Sequence, residues 1–139
     1  MRVIFVRGRI YFHSEFGFHD GDIGKKFIIL INNPQNLDPY LFLKVTSNPT
    51  NKPTEYGCHI KRKVFFIPSG KTYFPKQTWI QFHEIFSFSP TELIKDGINK
   101  KLTYKNKLTD QMTNEIANCL LKSNIEDIEP EHLKLIKKR

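Results

Sequence analysis

Cleaving RNA at a phosphodiester requires little of a protein. The ribose 2′-hydroxyl is itself the nucleophile. The protein must accept its proton, stabilise charge on the phosphorane and protonate the leaving oxygen, which a positioned Lys, Arg or His and a Ser or Thr hydroxyl can do. The chain offers such a set. Lys26 precedes an apolar run, Thr46-Ser47 ends the next apolar segment, and His59, Lys61 and Arg62 follow a loop able to fold back over both. A hydroxyl at a strand end is held rigidly.

The cations around this set are concentrated. Between Lys44 and Lys76 lie Lys52, Lys61, Arg62, Lys63 and Lys71, with Glu55 the one acidic residue among them. Tyr56, Phe65, Phe66, Tyr73 and Phe74 are interleaved with them. Cations that follow phosphates and rings that stack on bases suit single-stranded nucleic acid. The same pattern also fits a solvated basic face above core phenylalanines. Over all 139 residues the formal charge is +8, which favours an anionic partner.

Other chemistries lack their signatures. There is no Gly-rich phosphate loop ending in Lys-Ser/Thr, no G-x-S-x-G and no H-E-x-x-H. His13, His19, His59, His83 and His132 show no helical metal spacing, so neither a metal nor a cofactor is expected. Cys58 and Cys119 fit neither a disulfide framework nor a zinc site, and free thiols in a reducing cytoplasm are expected. No apolar run approaches the roughly 20 residues of a membrane span. Arg7 and Arg9 come too early for a signal-peptide core.

The elements that must position these residues read as strands first and helices last. Arg2–Phe12, Phe27–Ile31, Tyr40–Thr46, Lys63–Ile67, Gln77–Phe82 and Glu84–Phe88 have strand character. His13–Lys25, with Gly17, Gly21 and Gly24, reads as a loop, as does Ser47–Tyr56. Ser89-Pro90-Thr91-Glu92 is a capping box with proline at the first helical position, which predicts a helix over about Pro90–Asp96 stopped at Gly97. Met112, Ile116, Cys119 and Leu120 recur at helical spacing behind Thr109 as cap. Another turn or two is expected after Pro130, and the tail, acidic then basic, reads as solvated. The fold class is α+β: a small barrel or coiled antiparallel sheet over about residues 1–88, a helical part over about 89–122 and a tail over about 123–139, in one domain.

In order, several segments resemble the MazF/PemK/Kid toxin superfamily. Arg7-Gly8-Arg9-Ile10-Tyr11 is similar to its opening strand, and Gly24-Lys25-Lys26-Phe27-Ile28-Ile29-Leu30-Ile31 to its Gly-x-Arg-Pro-hydrophobic strand. Leu43-Lys44-Val45-Thr46-Ser47 resembles its Thr-Ser strand end. Phe74-Pro75-Lys76-Gln77-Thr78-Trp79-Ile80 resembles the segment bringing in a later strand, and Lys100-Lys101-Leu102 with Met112–Leu121 its ending. The resemblance implies an SH3-like barrel, usually a homodimer, acting as a metal-independent endoribonuclease, the toxin of a type II toxin–antitoxin pair. Its products from single-stranded RNA would be a 2′,3′-cyclic phosphate and a 5′-hydroxyl, and its partners RNA and a cognate antitoxin.

The resemblance puts the family's catalytic arginine on Lys26, with Lys25 beside it, and its transition-state hydroxyl on Thr46, next to Ser47. Lysine lacks the bidentate guanidinium fork, but it is desolvated and deprotonated more readily. Arg62, His59 and Arg9 are the substitute cations. Lys25, Lys44, Lys61, Arg62, Lys63, Lys71, Lys76 and Tyr73 are the expected RNA-binding residues.

Overall fold

The computed structural model describes residues 5–17 and 23–138. The strands are β1 (Arg9–Gly17), β2 (Ile23–Leu30), β3 (Tyr40–Thr46), β4 (Gly57–His59), β5 (Val64–Ile67), β6 (Thr78–Gln81), β7 (Phe86–Phe88) and β8 (Leu102–Lys107). The helices are α1 (Pro90–Ile98), between β7 and β8, then α2 (Asp110–Asn124) and α3 (Pro130–Lys137). The architecture is α+β, with strands and helices packing together on both faces of the sheet.

The strands form one antiparallel sheet in the order β4-β5-β6-β3-β2-β1-β8. The sheet is open, which corrects the expected barrel: among the described residues β4 and β8 are the ends of the strand order and do not pair. Its turning point is β3. One edge of β3 pairs with β2; the other pairs with β7 through Tyr40–Phe42 and with β6 through Val45 and Thr46.

Alternation along the central strands explains their unbroken apolar runs. Ile10, Ile29, Ile31, Leu41, Leu43 and Val45 face the main core, which α2 covers with Met112, Ile116, Cys119 and Leu120. Tyr11, Ile28, Leu30 and Phe42 face a second core closed by Phe86, Leu93 of α1 and Leu102. A strand covered on both faces has no polar side to show. Phe65, Ile67 and Ile80 also reach the main core, so the β4-β5-β6 end wraps the same helix. On its other face Val64, Phe66 and Trp79 form a third cluster.

Local signals set the helix starts. At α1, Ser89 accepts from Glu92 N–H while the Glu92 carboxylate accepts from Ser89 N–H. At α2, Thr109 Oγ1 accepts from Met112 N–H at 3.1 Å. Gly97 does not stop α1, which runs on to a C-cap at Asn99, followed by Lys100 at φ 60°. His13 fastens α1 to β1. Its Nδ1 accepts from Glu15 N–H, leaving Nε2–H to donate to Asp96 at 2.8 Å.

Three further expectations are corrected. First, His13–Lys25 is largely strand, and its residues 18–22 lie outside the described residues, as do residues 2–4 of the predicted first strand. That first strand begins only at Arg9. A bulge between His13 and Phe16 absorbs the irregular sequence. Second, the tail is not merely solvated: Ile128 and Ile136 belong to the main core. Third, the polar segment Leu102–Lys107 is a strand, held by pairing to β1.

Gly8 shows why the chain before β1 needs a glycine. Its φ is +91°, and an added Cβ would sit 2.5 Å from Thr113 Oγ1. Its N–H donates to Leu30 and its carbonyl accepts from Leu108, so the backbone is fixed on both sides.

Candidate functional site

Lys26 and Thr46 line one cavity just beyond the β2–β3 ladder, whose pairing ends with Ile28 opposite Lys44. Lys26 Nζ is 3.5 Å from the Val45 carbonyl oxygen. Partial burial pushes its pKa below the usual 10.5, and the positive charges of Lys44 and then Lys52 push it further down. Thr46 Oγ1 accepts from Asn48 N–H at 3.2 Å, a bond that does not use the hydroxyl hydrogen.

These residues line a cavity of about 580 Å³ together with Ser47, Phe27, Tyr73 and Lys76. Its walls come from β1, the start of β2, the end of β3 and the 73–76 segment before β6. One wall is aromatic. Phe12 lies opposite Phe27 with ring centroids 5.1 Å apart, and Phe27 meets Tyr73 at 6.1 Å and Phe74 at 5.7 Å, near edge-to-face. Tyr73 is exposed, as is Lys76, whereas Phe74 is buried.

A second cavity, of about 380 Å³, lies where the 50–53 segment faces the β4–β5 turn and the end of β6. Lys52, Lys61, Arg62, Gln81 and His83 line it, and no carboxylate does. The Arg62 guanidinium donates to the Asn51 carbonyl oxygen, which orients it.

The segment between β3 and β4, residues 47–56, borders both cavities. Side chains hold it rather than a ladder. Buried Trp79 donates from Nε1 to the Pro53 carbonyl at 2.6 Å. The Tyr56 hydroxyl donates to Glu115 of α2 at 2.9 Å; partial burial, and then this carboxylate, push its pKa up to about 12. Cys58 of β4 is bonded to Cys119 of α2, with Cα atoms 5.5 Å apart. This corrects the expectation of free thiols and removes their support for a reducing cytoplasm. The pairing arises because β4 comes to lie on α2, although 61 positions separate the two residues.

The remaining candidates are dispersed. Lys44 lies beyond the first cavity's lining, its Nζ 6.0 Å from the Phe86 ring centroid. His59 Nε2 is 2.7 Å from the Glu55 carbonyl oxygen, within its own loop. Lys63 reaches Asn124 at 3.0 Å and Asp127 at 3.5 Å, a structural tie. Lys71 Nζ lies 4.0 Å from the Tyr56 ring centroid. Arg9 belongs elsewhere: it sits opposite Lys107 with its guanidinium 4.5 Å from the Tyr104 ring centroid. The Lys25 side chain lies outside the described ones.

Sequence reasoning missed Phe12 and Phe27 as a cavity wall, and Lys52, Gln81 and His83 as lining of the second cavity. The aromatic pair had a signal, since both rings stand at the borders of the segment His13–Lys25 that the sequence sets apart. Among the described residues no group of three His, Cys, Asp or Glu side chains is placed to hold a metal ion. No described helix is long and apolar enough to cross a membrane. No family model matches the chain, and no curated protein matches it.

Proposed function

We propose that the larger cavity is the active site of a metal-independent endoribonuclease for single-stranded RNA. The observation that carries this reading is the placing of Lys26 and Thr46 in one cavity with an aromatic wall, next to the end of the β2–β3 ladder. In this reading Lys26, its pKa already lowered, takes the proton of the 2′-hydroxyl. The 2′-oxygen bonds to phosphorus. The Thr46 hydroxyl donates to a non-bridging oxygen as charge accumulates there. The bond from phosphorus to the 5′-oxygen breaks, and that oxygen takes a proton from the Lys76 ammonium. The products are a 2′,3′-cyclic phosphate and a 5′-hydroxyl. Tyr73 offers a face on which a base can stack.

The same reading makes the chain a divergent toxin of a type II toxin–antitoxin pair, a homodimer of SH3-like type acting on mRNA in the cytoplasm. Its antitoxin would be an acidic segment with apolar anchors that folds on binding across the cations.

A second reading is a non-catalytic RNA-binding module. It is favoured by lysine at position 26, since a point charge does not hold phosphate through two parallel bonds.

The test is incubation with a long single-stranded RNA in EDTA, with chemical analysis of the product ends. The expected products carry cyclic phosphate ends, and Lys26→Ala and Thr46→Ala each slow cleavage by roughly two decades or more while binding persists. Intact but bound RNA establishes the module instead. RNA neither cut nor bound would refute both readings.

A further inference from the structure

The second cavity has a composition that the chemistry assigned to the first does not use. Lys52, Lys61, Arg62 and His83 converge on about 380 Å³ without a lining carboxylate, and Gln81 adds an amide. Arg62 is held in place by the Asn51 carbonyl, so its remaining N–H groups are already oriented. Such a set suits a phosphate group: oriented N–H donors, compact ammonium charges and no competing anion.

The two cavities are also coupled. The chain from Ser47 to Pro53 lines the first at Ser47 and Asn48 and the second from Thr50 onward. Lys52, in the second, lies near enough to lower the pKa of Lys26 in the first. Each is therefore within the other's electrostatic field, along one short segment.

We infer that the second cavity binds a backbone phosphate of the same single strand whose scissile bond lies in the first, so that the footprint continues across the 47–53 segment. This rests on the RNA reading of the first cavity. The chemistry alone fits a phosphate from either of two sources, a polynucleotide or a free anion. The shared segment favours the polynucleotide.

The experiment measures binding of an eight-nucleotide RNA, made uncleavable by 2′-O-methylation, and of a dinucleotide of the same chemistry, over a salt series. The proteins are wild type, Lys61→Gln/Arg62→Gln, Lys61→Gln alone and a charge-matched control, Lys134→Gln/Lys137→Gln on α3. Loss of the one phosphate contact should weaken octamer binding several-fold near physiological salt and reduce the salt slope by about 0.7. Lys61→Gln should give a smaller change, because Arg62 stays on the phosphate. Dinucleotide binding should not change.

Octamer binding equal to the control's in both variants would overturn the proposal, while cleavage in the first cavity would stand. Wild type failing to bind either RNA, while inorganic pyrophosphate shifts the His83 NMR resonances, would overturn the polynucleotide source and the RNA reading together, leaving a free-anion site. No response to RNA or pyrophosphate would overturn both the site and the function.

Discussion

Two regions of the sheet place side chains by different means. At β2 and β3 the ladder sets the frame: strands covered on both faces cannot slip without turning their apolar residues outward, and Lys26 and Thr46 lie just beyond the paired residues Ile28–Leu30 and Phe42–Lys44. Before β4 the segment 47–56 hangs on single ties, Trp79 to Pro53 and Tyr56 to Glu115, while the three-residue β4 adds the Cys58–Cys119 bond to a short ladder with β5. A position held by a ladder survives the loss of one contact. A position held by a tie goes with it. The proposed chemistry lies beside the central ladder, and the proposed phosphate site beside the tied segment.

The largest effect should come from the covalent tie. Closing a loop across 61 positions restricts the unfolded chain enough to contribute about 4 kcal/mol on a chain-entropy estimate. Cys58→Ser/Cys119→Ser should therefore lower the urea midpoint sharply. Hydrogen exchange should show lost protection in β4 and β5 while β1–β3 keep theirs, and equal loss across the sheet would break the comparison. Should the chain act in a reducing cytoplasm, the glutathione pool would oppose this bridge, so the reduced form should be measured too.

Beside the central strands the corresponding weak point is Gly8. Gly8→Ala sets a methyl 2.5 Å from Thr113 Oγ1 at a φ of +91°, and should cost about 2 kcal/mol in chemical denaturation. Adding Thr113→Ala should recover the part due to the clash and leave the backbone part. Full recovery would mean that the left-handed conformation costs nothing here.

Lys26 gives a test by pH. Its pKa is lowered in the folded protein, so the folded state disfavours its charged form and the unfolded chain holds that proton more tightly. Between the lowered pKa and 10.5, stability from this group therefore rises with pH. Cleavage should rise over a limb centred below 10.5, and Lys26→Arg should remove that limb. A limb that persists in Lys26→Arg assigns the base to another group.

The smallest effect should be Tyr56→Phe, at or below about 1 kcal/mol because the tie is exposed. Its phenol is raised from 10.0 to about 12, so the contribution is full below pH 10 and is lost as pH rises through about 12. A thermal melt series from neutral to alkaline pH would show the variant and wild type converging.

How much of this was legible follows the same division. Tyr40–Thr46 reads directly as β3, and Ser89 and Thr109 as caps, because the signals are local: alternation, a hydroxyl, a glutamate three residues on. From the candidate site, Lys26, Thr46, Ser47, Tyr73 and Lys76 were singled out and do share a cavity. What escaped depends on neighbours far away in sequence. Leu102–Lys107 has one buried residue and no strand pattern of its own; β1 makes it a strand. Gly97 reads as a stop, but α1 continues through it. Ile128 and Ile136 look like tail until the core they fill is known. Two cysteines among 139 residues say nothing of pairing until backbone distances are available.

Among the described residues β4, β7 and β8 each have one side of the backbone without a strand partner, and such strands are templates on which other chains can build fibrils. The β4 end is three residues long, too short to template much. The β8 end is six residues long and carries Lys105 and Lys107 on an exposed stretch. Like charges brought together by edge-to-edge stacking repel, so the same surplus of lysine that suits a polyanion also keeps copies of this chain from polymerising through their sheets.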